Sequence, residues 1–196
     1  MTLHADVTEL LAEAGIIDVE VDDAVADEHV RSSAYQRVVS VAASSPGRER
    51  DRALVATLLR DPDEMVAKVA VVALVDRVAG RATGTDAFRR WAAGILPETG
   101  RLKAEGNREF IRRRVHDWLF HLSVRDGHLP TPAELAGVTD WMQRSVAEES
   151  TSPAVLALLA GSGNTKKIRN IAKNRAGSRE VRRRAPRAQH DPSERP

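Results

Sequence analysis

Two segments 36 residues apart open in the same way, and that repetition constrains the fold more than any other feature of the chain. The second, at residues 61–79, reads DPDEMVAKVAVVALVDRVA. Asp61-Pro62-Asp63 is a helix start: Asp63 can accept from the free amides of a first turn, and Pro62 cannot continue a preceding helix. Val66, Val69, Ala70, Ala73 and Leu74 then recur at i, i+3, i+4, i+7 and i+8, the stripe of a half-buried helix. Shifted back, Asp27-Glu28-His29-Val30 and Ala34 fall on Asp63-Glu64-Met65-Val66 and Ala70. A helical unit recurring at this period predicts a solenoid of stacked helices, because no single unit can bury its own apolar face.

Composition agrees with an all-α chain. Of 196 residues, 42% are hydrophobic, mostly Ala, Val and Leu, and only 4% are aromatic, which suits close helix packing and argues against a large sandwich or barrel core. There is no cysteine, so disulfides, iron–sulfur clusters and thiolate zinc sites are excluded, and a reducing cytoplasm is the expected location. The N-terminal MTLHADVTELLAEAG has acidic residues in its apolar pattern and no basic leader, unlike a signal peptide. The apolar run at 69–75, which no other exceeds, is far below the roughly 18 residues that a membrane span needs. No membrane partner is expected.

Periodicity predicts helices near 5–14, 28–43, 48–59, 63–79, 85–95, 107–124, 132–147, 153–160 and 165–174, separated by Gly and Pro. Residues 16–21 alternate over too short a stretch to pair, and read as an extended connector. Residues 1–177 form the predicted helical domain. From 178 to 196 periodicity vanishes among Arg182-Arg183-Arg184 and three prolines, the pattern of a basic, disordered tail.

The block LVATLLRDPDEMVAKVAVVALVDRVAG (residues 54–80) resembles a HEAT-type repeat: a short helix, a turn with Asp-Pro-Asp, and a second helix opening on a valine. Many members of that family place Arg after the valine. Here Ala67 stands there, while Arg31 keeps the pattern in the earlier copy. Residues 151–174 look like the leucine-rich-repeat variant, a related helical unit, with Leu156, Leu159, Ala160, Ile168, Arg169, Ala172 and Asn174 on the expected positions. Ile111-Arg112 offers a degenerate equivalent between them. The resemblance implies a right-handed α-solenoid of HEAT-like helix pairs that binds protein or nucleic acid, with no particular chemistry.

Charge is unevenly spread. Between Lys166 and Arg187, ten Lys or Arg face Glu180 alone, a net +9, so the remainder carries −7 although the whole chain sums to +2. A basic end on an acidic body marks Lys166, Lys167, Arg169, Lys173, Arg175, Arg179, Arg182, Arg183 and Arg184 as candidate polyanion ligands, with Arg108, Arg112, Arg113 and Arg114 as a second group.

Candidate chemistry is sparse. His116-Asp117 lies off the stripe Ile111, Val115, Trp118, Leu122, and reads as flank or solvent. His116 and His121 are about 140° apart around a helix, poor geometry for one metal. Gly161-Ser162-Gly163-Asn164-Thr165-Lys166-Lys167 could hold a phosphate at a helix start, but reads first as a turn capped by Asn164 or Thr165. A HEAT-like fold also occurs in alkylpurine DNA glycosylases, which use Trp, Asp and Arg in a concave cleft. Asp117 with Trp118, Asp140 with Trp141, and residues 112–114 could imitate it, yet neighbours on a helix point about 100° apart. Trp118 and Trp141 are therefore expected in the core. No catalytic residue, metal or cofactor is expected. The sequence reads as a non-enzymatic interaction module gripping a protein partner in the groove of its second helices. The alternatives are a nucleic-acid-binding protein using the basic end and a HEAT-like DNA glycosylase.

Val69, Ala70, Ala73 and Leu74 are expected in the core. Ala70→Asp should strongly destabilise the fold, because it places an unpaired carboxylate where there is room for a methyl. An exposed swap shifts stability by only about 0.5 kcal/mol. Thermal melting of the two distinguishes the assigned face from the opposite one.

Overall fold

The two aspartates of the repeat do the same job in the same way. Asp27 Oδ1 accepts from the amides of His29 at 2.7 Å and Val30 at 3.3 Å. Asp63 Oδ1 accepts from those of Met65 at 2.8 Å and Val66 at 3.3 Å. In the computed structural model, which describes residues 2–178, these caps open the helices α3 (Glu28–Ser44) and α5 (Glu64–Arg81). Every regular element among the described residues is helical: α1 (Leu3–Glu13), α2 (Val21–Ala26), α3, α4 (Asp51–Leu58), α5, α6 (Thr85–Ile95), a 3-10 helix (Leu96–Arg101), α7 (Glu105–Arg125), α8 (Pro132–Ala136), α9 (Asp140–Glu149), α10 (Pro153–Ser162) and α11 (Lys166–Ala176). The protein is all-α. The chain divides into two compact units, Met1–Asp126 and Gly127–Pro196.

In the first unit α3, α5 and α7 pack side by side, with α5 between the other two. Cross-links show that the three run parallel. Near the start, Arg31 of α3 meets Asp61 just before α5, and near the end Arg81 Nη1 donates to Ser44 Oγ at 3.0 Å. Between α5 and α7, three bonds keep nearly one register. Asn107 donates to Glu64, Trp118 to Asp76, and Arg125 to the Ala82 carbonyl, at separations of 43, 42 and 43 residues. Against this layer lie the shorter helices, with α4 touching both α1 and α6. The core between them holds Val7, Leu10, Tyr35, Val38, Val55, Leu58, Val71, Leu74, Phe88, Ile95, Ile111 and Leu122, all at most 3% exposed.

One buried ion pair joins α3 to the turn before α5. Arg31 Nε lies 2.7 Å from Asp61 Oδ2, with side chains 6% and 0% exposed. Arg31 Nη1 also donates to the carbonyls of Ala24 at 3.0 Å and Val25 at 3.3 Å, tying in α2. Asp61 Oδ1 accepts the Asp63 amide at 2.8 Å, and the Tyr35 hydroxyl bonds the same carboxylate. Burial, then the adjacent Asp61 charge, pushes the Tyr35 phenol well above its ordinary value, so it stays a donor. Each charge thus has partners, the condition under which such a pair survives out of water.

Two helix starts are capped by a different helix. Gly84 and Ala104, which precede α6 and α7, offer no side-chain cap. Asp126 Oδ2 accepts the amide and hydroxyl of Thr85, each at 2.7 Å. The Glu64 carboxylate accepts from the amides of Lys103 and Ala104 and from Asn107 Nδ2. Those bonds, led by the Thr85 amide for Asp126 and by Asn107 for Glu64, hold both carboxyls below their ordinary range.

The second unit is built on α8 to α11. Thr131 and Glu134 form a reciprocal capping box, and Thr139, Ser152 and Thr165 cap the other three helices. Leu135, Met142, Val146, Leu156, Leu159, Ile168 and Ala172 are buried at its centre. Gln143, fully buried, is satisfied at both ends: Nε2 donates to the Leu135 carbonyl at 2.8 Å, and its oxygen accepts the Asn164 amide at 2.9 Å. Gly163 is required in the α10–α11 turn, since a Cβ there would lie 2.7 Å from the Leu159 carbonyl oxygen.

Several expectations need correction. Ala70 and Leu74 are buried at 1% and 0%, but Val69 is 41% exposed and Ala73 only partly covered. The buried face of α5 instead runs through Val66, Ala67, Ala70, Val71, Leu74 and Val75, because both flanking helices and α4 cover it. The predicted helix over 132–147 is two, broken at residues 137–139 where Thr139 starts a new cap. Helix α2 has no counterpart among the predicted elements. Trp118 packs partly buried against the core, whereas Trp141 is 43% exposed. Asp117 is 2% exposed, so it is no solvent residue: the covered face of α7 is wider than its apolar stripe.

Removing one partner of the buried pair strands the other. Arg31→Met should cost about 3 kcal/mol or more in urea unfolding. Arg37→Met, which breaks the exposed pair with Asp18, should cost under about 1 kcal/mol. Equal losses would deny Arg31 its special role.

Candidate functional site

The parallel packing of α3, α5 and α7 leaves one groove between their outward faces. It is lined by Ser32 and Gln36 of α3, Lys68, Val69, Val72, Ala73 and Asp76 of α5, and Phe110 and Arg114 of α7, and encloses about 530 Å³. Spacing explains the set. Positions 65, 69, 72, 73 and 76 follow one face of α5, opposite the buried line through Ala67, Val71 and Leu74.

Large apolar surface is left open here. Phe110 is 47% exposed and Val69 41%, with Met65, 55% exposed, farther along the same face of α5. Cations flank the ring: Lys68 Nζ lies 5.2 Å and the Arg114 guanidinium 5.9 Å from the Phe110 centroid. Each such contact contributes roughly 0.5–1 kcal/mol when exposed. Two positive charges held beside an aromatic face make an apolar seat with an electropositive rim.

Asp76 lies in the same groove. Its Oδ1 accepts Trp118 Nε1 at 2.7 Å and sits 3.5 Å from Arg114 Nε. Burial pushes this carboxyl above its ordinary 3.8, outweighing the lowering pull of the Trp118 bond and of Arg114. Asp76 thereby orients both Trp118 and Arg114. Nearby, Arg77 Nη1 donates to Gln36 Oε1 at 3.3 Å. A parallel arrangement ties α4 to α6: the buried Asp51 accepts Trp91 Nε1 at 2.8 Å and pairs with Arg48 at 3.2 Å, with burial again raising its pKa.

The predicted cationic residues fall into separate groups. Of the second group, only Arg114 lines the groove. Arg108 is committed to Glu105 and to the carbonyls of Leu102 and Lys103, and Arg112 pairs with Glu105 at 3.1 Å. Arg113 is exposed on α7. Lys166, Lys167, Arg169, Lys173 and Arg175 lie on α11 in the second unit. Arg179, Arg182, Arg183 and Arg184, with the expected tail, lie outside the described residues. The turn before α11 is capped by Thr165, and its Asn164 amide is taken by Gln143.

Of the residues weighed for a glycosylase-like cleft, Asp117 is buried, and Asp140 in the second unit accepts Asn164 Nδ2 at 2.9 Å. Trp118 is partnered by Asp76, which sequence reasoning missed because the two are 42 residues apart. Phe110 was also missed. Its signal was present: an aromatic inside the charged run GNREFIRRR. His116 is exposed, while His121 packs edge-on to Trp118 at 5.2 Å. Among the described residues no cluster of three or more His, Cys, Asp or Glu could hold a metal ion, and no helix is long and apolar enough to cross a membrane.

The chain matches no protein-family model, and no curated protein and no solved structure is similar to it.

The raised pKa of Asp76 has a definite sign. Between pH 3.8 and its folded value, the folded state holds more protons there than the unfolded one, so Asp76's contribution to stability falls as pH rises through that window. Asp76→Asn should remove this fall and flatten that part of the melting-temperature profile. An unchanged profile would place the titration elsewhere.

Proposed function

We propose that the first unit is a HEAT-like helical-repeat interaction module, part of a right-handed solenoid, that binds a protein partner through the α3–α5–α7 groove. The observation that carries this reading is Phe110: an aromatic ring, 47% exposed on a highly charged helix, facing Val69 across the groove with Lys68 and Arg114 beside it. Aromatic residues, phenylalanine among them, and arginine are enriched at the centres of protein interfaces. The matching caps of Asp27 and Asp63 and the parallel second helices support the repeat reading. The flanking cations favour a partner segment that carries an aliphatic or aromatic side chain between carboxylates.

Phe110→Asp and Val69→Asp test this directly. Each should weaken capture of the partner from native lysate by about thirtyfold, the loss typical of an interface centre, while the fold persists with a loss of at most about 2 kcal/mol, the size of the two cation–π contacts at Phe110. Arg90→Asp, on the exposed face of α6 outside the groove lining, should bind like the wild type. A partner retained equally by all three variants would overturn the assignment of the groove.

A further inference from the structure

The second unit carries a different surface on α11. Its sequence, KKIRNIAKNRA, contains no acidic and no aromatic residue. Ile168 and Ala172 turn inward. Two of its five cations bond to the backbone of their own unit. Arg169 Nη1 donates to the Gly163 carbonyl at 2.6 Å, and Arg175 Nη2 to that of Ser150 at 3.5 Å. The exposed positions are Lys166, Lys167, Asn170, Lys173 and Asn174, spaced i, i+1, i+4, i+7 and i+8. They form one helix face, with lysines from its first turn to its last spread over roughly 10 Å at 1.5 Å per residue.

That face is unfavourable for the helix by itself. Lys166 and Lys167 occupy the first turn, where the aligned peptide dipoles already present positive charge and an acidic side chain would be stabilising. The other exposed residues besides Lys173 are amides, so nothing on the face offsets the charge. An anionic ligand would.

We propose that the Lys166–Lys167–Asn170–Lys173–Asn174 face of α11 binds the phosphate backbone of a double-stranded nucleic acid. The chemistry of the face selects this occupant. None of its exposed positions is apolar, so it has nothing to insert into a membrane and no anchor for a protein hot spot. It has no aromatic ring on which the bases of a single strand could stack. Lysine and asparagine suit phosphate and sugar oxygens, which position a duplex without reading its sequence. The surface is independent of the groove in the first unit.

The test is fluorescence anisotropy of the full chain with a short labelled DNA duplex across a salt series. The variant is Lys166→Glu with Lys167→Glu and Lys173→Gln. Wild type should bind with an affinity that falls steeply with salt, and each lysine withdrawn from a phosphate should flatten the log–log slope by about 0.9. The two glutamates suit a helix start, so the melting temperature should hold or rise while duplex affinity drops by about tenfold or more at low salt. A stable variant that binds the duplex like the wild type overturns the proposal. So does tighter binding to the matching single strand, or equal binding to poly-glutamate or to phosphatidylglycerol vesicles at the same ionic strength. Should the variant fail to fold, Lys166→Gln with Lys167→Gln is read by the same slope.

Discussion

The first unit is organised around an ion pair buried at both ends. Arg31 reaches from α3 to Asp61, and Asp61 lies in the turn that launches the next helix. Two ions out of water are tolerable only when their remaining hydrogen-bonding capacity is filled. Carbonyls from α2, the amide of Asp63 and the hydroxyl of Tyr35 fill it. The pair therefore does more than attract: it ties α2, α3 and the turn before α5 together. Ala67, the counterpart of Arg31 in the second copy, is fully buried.

Two carboxylates, Asp76 in the groove and the buried Asp51, each orient an indole and a guanidinium. Asp76 holds Trp118 and Arg114, and Arg114 in turn flanks Phe110. Asp51 does the same for Trp91 and Arg48. In both cases burial raises the carboxyl pKa, outweighing the lowering pull of the indole bond. The groove and the lysine face consequently differ in kind. One is an aromatic seat braced from beneath by an acid. The other is a row of solvated ammonium groups with no brace.

Much of the fold was legible because helix starts announce themselves locally. Asp27, Asp63 and Thr165 cap where their residue types and positions indicate, and Ala34, Ala70, Leu74 and Ile111 are buried as their spacing requires. Helix α2 was invisible because its VDDAVA buries only Ala24, too little for a periodic signal. Val69 was misplaced because i, i+3 and i+4 counting merges two adjacent lines of a helix, and only the neighbours decide which is covered. Trp141 shows that ring size alone does not place a residue inside. The lining of the α3–α5–α7 groove was not legible in the sequence. Its members meet across about forty positions of sequence, and a pair such as Asp76 and Trp118 leaves no trace in local pattern.

Caps borrowed from a neighbouring helix make the first unit hard to divide. The start of α6 depends on Asp126 at the end of α7, and the start of α7 depends on Glu64 at the start of α5. A cut between helix pairs would leave one fragment with bare amides and the other with idle carboxylates. Shared caps of this kind couple each helix to its neighbour, so the stability of one element rests partly on the next. Loss of α7 would loosen α6 from its first turn, and the disturbance would pass inward. Removing either carboxylate-bearing element would therefore leave amides uncapped on a helix far from the cut.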